Sequence, residues 1–209
     1  MLPQRARRPE RNAFEMSAGG QPTLTDDEVQ TDIPTARMLS WARNSAIYRL
    51  GRRMMTEKQL FDAIARKARQ KFEGINALQV EAVADSAVKF AYGQGALNDV
   101  AYAEMSTRAG VRNGKSKRVI AQRLSLKGID REIATAALED SDDLFAAVVF
   151  ARKRSFGPFR RDAPDDKQRA KEVSAFARNG FGFEIGRAVL EMTRDGAEGL
   201  IETKRSGNS

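Results

Sequence analysis

The amino-acid sequence predicts an all-α protein: three tandem three-helix repeats that form an elongated, curved helical array. A short helix, a glycine-containing break and a second helix are indicated at residues 115–138, and a similar unit returns 52 residues later at 167–190. No proline occurs between residues 35 and 157, and apolar residues recur there at the three- and four-residue spacings of an α-helix. A unit this small buries its apolar face only by stacking on a neighbour, which favours a repeat array.

The two units share residues at matched positions. Aligning 124–138 with 176–190 gives identities at Gly128/Gly180, Glu132/Glu184, Ile133/Ile185, Ala136/Ala188 and Leu138/Leu190. A first unit aligns with the second at an offset of 60 and pairs Thr56 with Ser116. In that unit Ala68 stands where the other two have glycine, so its helix is expected either to run on or to end in a different turn.

The sequence predicts five segments along the chain. A disordered N-terminal arm is expected at residues 1–40. Three helical repeats follow at 41–98, 99–141 and 142–194, and a flexible tail is expected at 195–209. The arm holds four of the six prolines, and its charges nearly cancel, with five basic against six acidic residues. Such a stretch has too little apolar surface to fold. The tail is polar and rich in glycine, which is typical of a frayed end.

Each repeat is predicted to open with a longer helix, which gives nine helices in total. These opening helices are expected at residues 41–54, 99–111 and 144–154. Residues 56–59 read Thr-Glu-Lys-Gln, the form of a capping box, and Ser116 is expected to cap the matching helix alone. Two acidic pairs are predicted caps in the third repeat, namely Asp142-Asp143 and Asp165-Asp166. Between them, two prolines predict a loop at residues 155–166.

Composition excludes several classes of function. The chain has no cysteine and no histidine, so it lacks thiolates, disulfides, and the commonest general base and metal ligand. It also lacks a phosphate-binding glycine loop. We therefore expect no enzyme activity, no metal and no cofactor. No stretch reaches the roughly 20 apolar residues of a membrane span, and no apolar region follows the N-terminal arginines. We expect a soluble, cytoplasmic protein that does not enter a membrane.

Positive charge is concentrated in two runs that contain no acidic residue. The first run, residues 105–129, has seven basic residues: Arg108, Arg112, Lys115, Lys117, Arg118, Arg123 and Lys127. The second run surrounds the proline loop and has five: Arg152, Lys153, Arg154, Arg160 and Arg161. A patch of one sign repels itself and favours an anionic partner. For any single residue, a solvated helix face is the alternative. Nucleic acid and an acidic protein surface both satisfy these charges.

Two other interpretations of the same region are disfavoured. Residues 116–138 fit a helix-turn-helix, but Asp130 and Asp140 at the ends of the second helix would repel phosphates, so base recognition by it is not expected. Among four phenylalanines of the third repeat, only Phe156 and Phe159 are candidates to face a partner. Packing in the core is the favoured interpretation for them as well.

A series of short motifs runs through the second and third repeats in a fixed order. Residues 95–99 read Gly-Ala-Leu-Asn-Asp, 102–104 read Tyr-Ala-Glu, and 120–129 read Ile-Ala-Gln-Arg-Leu-Ser-Leu-Lys-Gly-Ile. Ala-Leu-Glu follows at 137–139, and Phe-Ala-Arg-Asn-Gly-Phe at 176–181. This order, over roughly residues 45–192, resembles the signature of the RecX family of recombinase regulators.

The resemblance implies three three-helix repeats in a curved rod that binds the RecA recombinase filament on single-stranded DNA. The DNA is expected to be contacted directly or through the filament. It further implies reduced filament extension and reduced ATPase, coprotease and strand-exchange activities, hence a role in homologous recombination and the SOS response. A monomer is expected. The twelve basic residues of the two runs are the expected filament and DNA contacts. The alternatives are an architectural nucleic-acid-binding protein that acts without recombinase, and a scaffold for another acidic protein.

Overall fold

A computed structural model describes residues 32–206 of the chain. Within that range ten α-helices follow one another and no strand occurs, which confirms the all-α class. The helices are α1 Ala36–Leu50, α2 Glu57–Lys71, α3 Ala77–Gly93, α4 Asp99–Arg112, α5 Lys117–Leu126, α6 Arg131–Leu138, α7 Asp143–Arg154, α8 Asp166–Arg178, α9 Phe183–Glu191 and α10 Arg194–Ser206. A short 3-10 turn, Gly157–Phe159, lies in the predicted proline loop. None of these ten helices combines the length and apolar character needed to cross a bilayer.

Side chains cap the helices where the sequence predicts caps. Thr56 accepts a hydrogen bond from the backbone N–H of Gln59, and the Gln59 side chain accepts one from the Thr56 N–H, which completes the capping box. Ser116 caps α5 alone. Asp142 and Asp165 cap α7 and α8. These oxygens satisfy backbone N–H groups that have no partner inside the helix, so each fixes where its helix begins.

Three apolar cores succeed one another along the chain. The first lies among α1, α2 and α3, the second among α4, α5 and α6, and the third among α7, α8, α9 and α10. Leu124, Ile129 and Leu138 are buried in the second core, and Ile133 packs half-buried against it. Phe156 and Phe159 pack half-buried against the third core, which confirms core packing for both.

The glycine break between paired helices recurs with the same backbone geometry. Gly128 has φ 80° and Gly180 has φ 79°, a left-handed conformation that favours glycine. In the first repeat, where Ala68 replaces the glycine, α2 runs on to Lys71 and the left-handed glycine is Gly74. Of the two alternatives that the sequence leaves open, a continued helix or a different turn at Ala68, the structure has the continued helix.

Two predicted boundaries are wrong. α1 begins at Ala36, capped by Thr35, so the end of the predicted N-terminal arm is helical. The predicted flexible tail at 195–209 instead forms α10 up to Ser206, and Ala197 and Ile201 are buried against the third core. Consequently there are ten described helices rather than nine. The disorder predicted for residues 1–31 lies outside the described residues.

A buried hydroxyl links each of the first two repeats to the next one. Thr56 Oγ1 donates to the backbone oxygen of Lys127 at 2.6 Å, and Ser116 Oγ donates to that of Asn179 at 2.7 Å. Both hydroxyl residues are fully buried. Each accepting carbonyl precedes one of the left-handed glycines, so the same hydrogen bond occurs at equivalent points of two repeats.

A carboxylate completes each of these inter-repeat joints. The residue after each buried hydroxyl residue donates its backbone N–H to an aspartate in the opening helix of the next repeat. Glu57 N–H donates to Asp99 Oδ1 at 3.0 Å, and Lys117 N–H donates to Asp143 Oδ1 at 2.8 Å. The two repeat-to-repeat joints are therefore built from the same pair of hydrogen bonds, which fixes how neighbouring repeats meet.

Candidate functional site

A groove of about 1450 Å³ lies between α4, α6, α7 and α10. One face of α4 forms its first wall, since Glu104, Arg108 and Arg112 recur every four residues and all line the groove. α7 forms another side of the groove, to which it contributes Phe145, Val149, Arg152 and Lys153. The second and third repeats thus build the groove together, next to the joint between them.

The groove brings the two basic runs together. Arg108 and Arg112 from the first run and Arg152 and Lys153 from the second all line it. Lys153 Nζ donates to the backbone oxygen of Asn113 at 3.1 Å, which holds the end of α7 against the end of α4. Runs that are forty residues apart in the sequence therefore form one basic surface at the ends of two helices.

The groove also contains acidic residues, and some of its charges are paired. Arg108 lies 3.5 Å from Glu104, and Lys204 of α10 lies 3.0 Å from Asp142. Glu132 and Asp140 line the side formed by α6. Among residues 32–206 neither of these two acids is in an ion pair, and the same holds for the exposed side chains of Arg112 and Arg152. The unpaired positive charge thus lies at the ends of α4 and α7.

Asp142 connects α7 to α10. Partial burial raises its pKa, but the backbone N–H of Phe145 and the ammonium of Lys204 together outweigh burial and hold the pKa below its ordinary value. The carboxylate is therefore charged at neutral pH and retains α10 at the groove. No sequence pattern indicates Lys204 as a contact residue, since it lies in the segment expected to be a flexible tail.

The groove has an apolar part, called its floor below, and Thr107 on the same α4 face adds a hydroxyl to it. Val111, Phe145, Val149 and Ile201 line it together with other apolar side chains. Thr107 lies on the same α4 face and is 4% exposed. Its Oγ1 is buried and has no hydrogen-bond partner among the described residues. Buried polar atoms are nearly always paired, so this hydroxyl is an unusual feature of the floor.

Lys117 and Arg118 lie apart from the groove, in a shallow depression against α6 that also contains Glu132 and Glu139. Lys117 Nζ donates to the backbone oxygen of Glu139 at 3.1 Å, so part of its role is to hold α5 against α6. Arg118 is exposed. The structure therefore divides the first basic run between two surfaces.

The remaining predicted contacts have different environments. Arg123, Lys127 and Arg161 are exposed and Lys115 is half-buried. The exposed Arg154 places its guanidinium 5.8 Å from the centre of the Phe150 ring, a cation–π contact. Neither of the two concavities described above is lined by any of these five residues.

Arg160 has a structural role. Its Nε donates to both oxygens of Glu172, at 2.8 and 3.0 Å, and Glu172 is fully buried. The backbone N–H of Gly157 and the side chain of Gln168 donate to the same carboxylate. Because its charge is neutralised inside the third repeat, we remove Arg160 from the candidate contact residues.

A polar cluster that the sequence did not indicate lies at the first joint. Tyr92 OH donates to Glu57 Oε2 at 2.9 Å. Burial, this hydrogen bond and the charges of Asp99 and Glu57 raise the pKa of Tyr92 to about 12. Burial and the Glu57 charge also raise the pKa of Asp99, although the Glu57 N–H opposes them. The Tyr92 phenol therefore stays protonated at neutral pH. Within residues 32–206, no group of three or more acidic side chains is arranged to hold a metal ion.

Comparison with known proteins gives one consistent result. The family model described as "RecX, second three-helix domain" matches residues 98–138, which cover α4, α5 and α6. Regulatory protein RecX of Agrobacterium fabrum is 63% identical over 176 residues, covering 84% of this chain and 96% of the relative. Its counterpart from Myxococcus xanthus is 33% identical over 159 residues, covering 73% and 85%. The crystal structure of RecX from Lactobacillus salivarius has the same fold, with a TM-score of 0.57 at 22% identity, covering 75% of this chain and 97% of that one.

Proposed function

The chain belongs to the RecX family of regulatory proteins, and from that premise we propose that it binds and regulates the RecA filament on single-stranded DNA. In this proposal it acts in the cytoplasm as a monomer and catalyses no reaction. It limits filament extension and lowers the ATPase, coprotease and strand-exchange activities of the recombinase. Homologous recombination and the SOS response are the processes that it would restrain.

The meeting of two basic runs at the ends of α4 and α7 is the observation that carries this proposal. Arg112 and Arg152 are exposed there and have no ion-pair partner in the described range. A nucleoprotein filament presents phosphates and protein side by side, and neutralising phosphates releases counterions. Binding through this surface should therefore weaken steeply as salt concentration rises.

Recombinase ATPase on pre-coated single-stranded DNA tests the proposal. We expect Arg112→Glu with Arg152→Glu to raise the concentration needed for half-maximal inhibition by at least about tenfold, a change of roughly 1.4 kcal/mol. The melting temperature should hardly change, because both side chains are exposed. The matched control is Arg66→Glu with Arg69→Glu on α2, two exposed arginines whose reversal changes the net charge equally. Undiminished inhibition by the groove variant would remove this surface from the mechanism.

An architectural nucleic-acid-binding role without recombinase is the second candidate. The exposed Arg118, Arg123 and Lys127 on or next to α5 supply cations that phosphates would also satisfy. Stoichiometry separates the two functions. A filament regulator should inhibit at well below one molecule per recombinase monomer, whereas a coating protein would need to saturate the DNA. Fluorescence anisotropy with labelled single-stranded DNA, with and without recombinase, measures this difference.

A further inference from the structure

We propose that the groove between α4, α6, α7 and α10 holds an acidic, amphipathic helical segment of the recombinase. This inference rests on the proposed function and names the contact by which the groove recognises its partner. The basic ends of α4 and α7 then bind one part of that segment, and the apolar floor binds its hydrophobic face.

The size of the groove favours a peptide over a small molecule. Pockets for small ligands usually measure about 300–1,000 Å³, whereas this groove measures about 1450 Å³. Its apolar floor is built from side chains of α4, α7 and α10. An amphipathic helix binds in such a groove through side chains at i, i+3 or i+4, and i+7. Val100, which is 51% exposed at the groove, is one of the apolar side chains that such a helix would cover.

The buried Thr107 hydroxyl is a second observation at the groove, independent of its charges. A threonine inside a helix ordinarily bonds to a carbonyl one turn earlier, yet Thr107 Oγ1 bonds to nothing in the described chain. It lies among the residues that line the groove. Because this oxygen is buried in the free protein, a polar atom of a bound segment would satisfy it only when binding displaces the side chains that cover it.

The arrangement of charge specifies the acidic character and the direction of the segment. Arg112 and Arg152, which have no ion-pair partner in the described part of the chain, supply positive charge at the ends of α4 and α7, with Lys153 beside them. Glu132 and Asp140 supply negative charge on the α6 side and form no ion pair with any residue that the structure describes. Acidic residues are most stable in the first turn of a helix. The N-terminal turn of the bound segment therefore lies over Arg112 and Arg152, and no cluster of acidic residues lies over α6.

Removing the hydroxyl alone provides the first test. Thr107→Val keeps the volume of the side chain, so we expect an unchanged or higher melting temperature. The concentration for half-maximal ATPase inhibition should rise roughly three- to tenfold, the usual effect of one lost hydrogen bond. The control is Thr203→Val, the same substitution at an exposed position of α10, for which neither quantity should change. Inhibition by Thr107→Val at the wild-type concentration would contradict a contact with this hydroxyl.

Photo-cross-linking from the rim identifies the occupant even if Thr107→Val does not fold. p-Benzoylphenylalanine in place of the half-exposed Val100, in the full chain on the recombinase filament, should cross-link to a recombinase peptide that is acidic and amphipathic. A cross-link to DNA, to a second copy of this chain or to a recombinase segment without acidic residues would overturn the inference. So would the absence of a cross-link while ATPase inhibition persists. If the wild-type protein neither binds nor inhibits the filament, the proposed function fails first and the inference fails with it.

Discussion

Replacing Thr56 with valine should weaken the joint between the first and second repeats. The hydroxyl accepts from the Gln59 N–H and donates to the Lys127 carbonyl oxygen at 2.6 Å, and the residue is fully buried. Valine has nearly the same shape, so the substitution removes two hydrogen bonds without opening a cavity. Losing a helix cap costs about 1 kcal/mol, and losing one intramolecular hydrogen bond costs about 0.5–1.5 kcal/mol. We therefore expect a loss of about 1.5–2.5 kcal/mol in the free energy of unfolding.

Thermal unfolding followed by circular dichroism at 222 nm measures this loss. In a chain of this size 1 kcal/mol corresponds to about 2–4 °C, so the melting temperature should fall by about 3–10 °C. The control is Thr35→Val, because Thr35 caps α1 from an exposed position and has no inter-repeat bond in the described structure. It should lose only the cap, about 1 kcal/mol. Equal losses in the two variants would show that the Lys127 contact contributes nothing, and the argument for the joint would fail.

Two further predictions concern the third repeat. Arg160→Gln should lower the free energy of unfolding by about 3 kcal/mol, the low end for breaking a buried ion pair, because two neutral donors to Glu172 remain. The control Arg161→Gln should change it by less than about 0.5 kcal/mol. Urea unfolding of both variants measures the difference, and equal effects would contradict the structural role of Arg160. The lowered pKa of Asp142 means that its contribution is present above its ordinary value of 3.8 and is lost as pH falls through the folded value. Lys204→Met should raise that pKa and reduce the loss of stability between pH 5 and 3, by less than about 1 kcal/mol because both side chains are partly exposed. Carbon-13 titration of the carboxyl measures the shift, and an unmoved pKa would rule out the ion pair.

Local patterns predicted the helices well because capping and helical spacing act over a few residues. Thr56 and Ser116 are helix caps in the sequence and in the structure. Their second hydrogen bond, to a carbonyl more than sixty residues away, has no local signature. The repeats were therefore predictable from the sequence, whereas the bonds that join them required the three-dimensional structure.

The C-terminal segment differs from the prediction because its polar composition masks a short apolar spacing. Gly196, Gly199 and several charged residues make it polar, which indicates a frayed end. However, Ala197 and Ile201 are four residues apart, and the Gly196 N–H donates to Thr193 Oγ1 at 3.2 Å at the start of α10. A short amphipathic helix becomes stable when a neighbour accepts its apolar stripe. The third core provides that neighbour, and the sequence alone did not reveal it.

The candidate site was only partly predictable, because a run without acids in the sequence can still face acids in space. Arg160 belongs to such a run, yet Glu172, twelve residues further along the chain, neutralises it. In contrast, Arg112 and Arg152 have no ion-pair partner within residues 32–206, and they come together from different runs. The sequence thus located the excess charge, and the packing of α7 on α4 determined which part of it a partner can use.

Two adjacent carboxylates at the start of α7 relate the joint to the groove. Asp143 accepts the Lys117 N–H and so holds the third repeat to the second, while Asp142 pairs with Lys204 and holds α10 at the groove. These two adjacent carboxylates therefore tie α7 to α5 of the second repeat and to α10. Substitutions at Asp143 should consequently alter partner binding although its side chain does not line the groove. This distinguishes a groove preformed by the fold from a basic surface that binds through charge alone, because the latter would tolerate small changes in the angle between repeats.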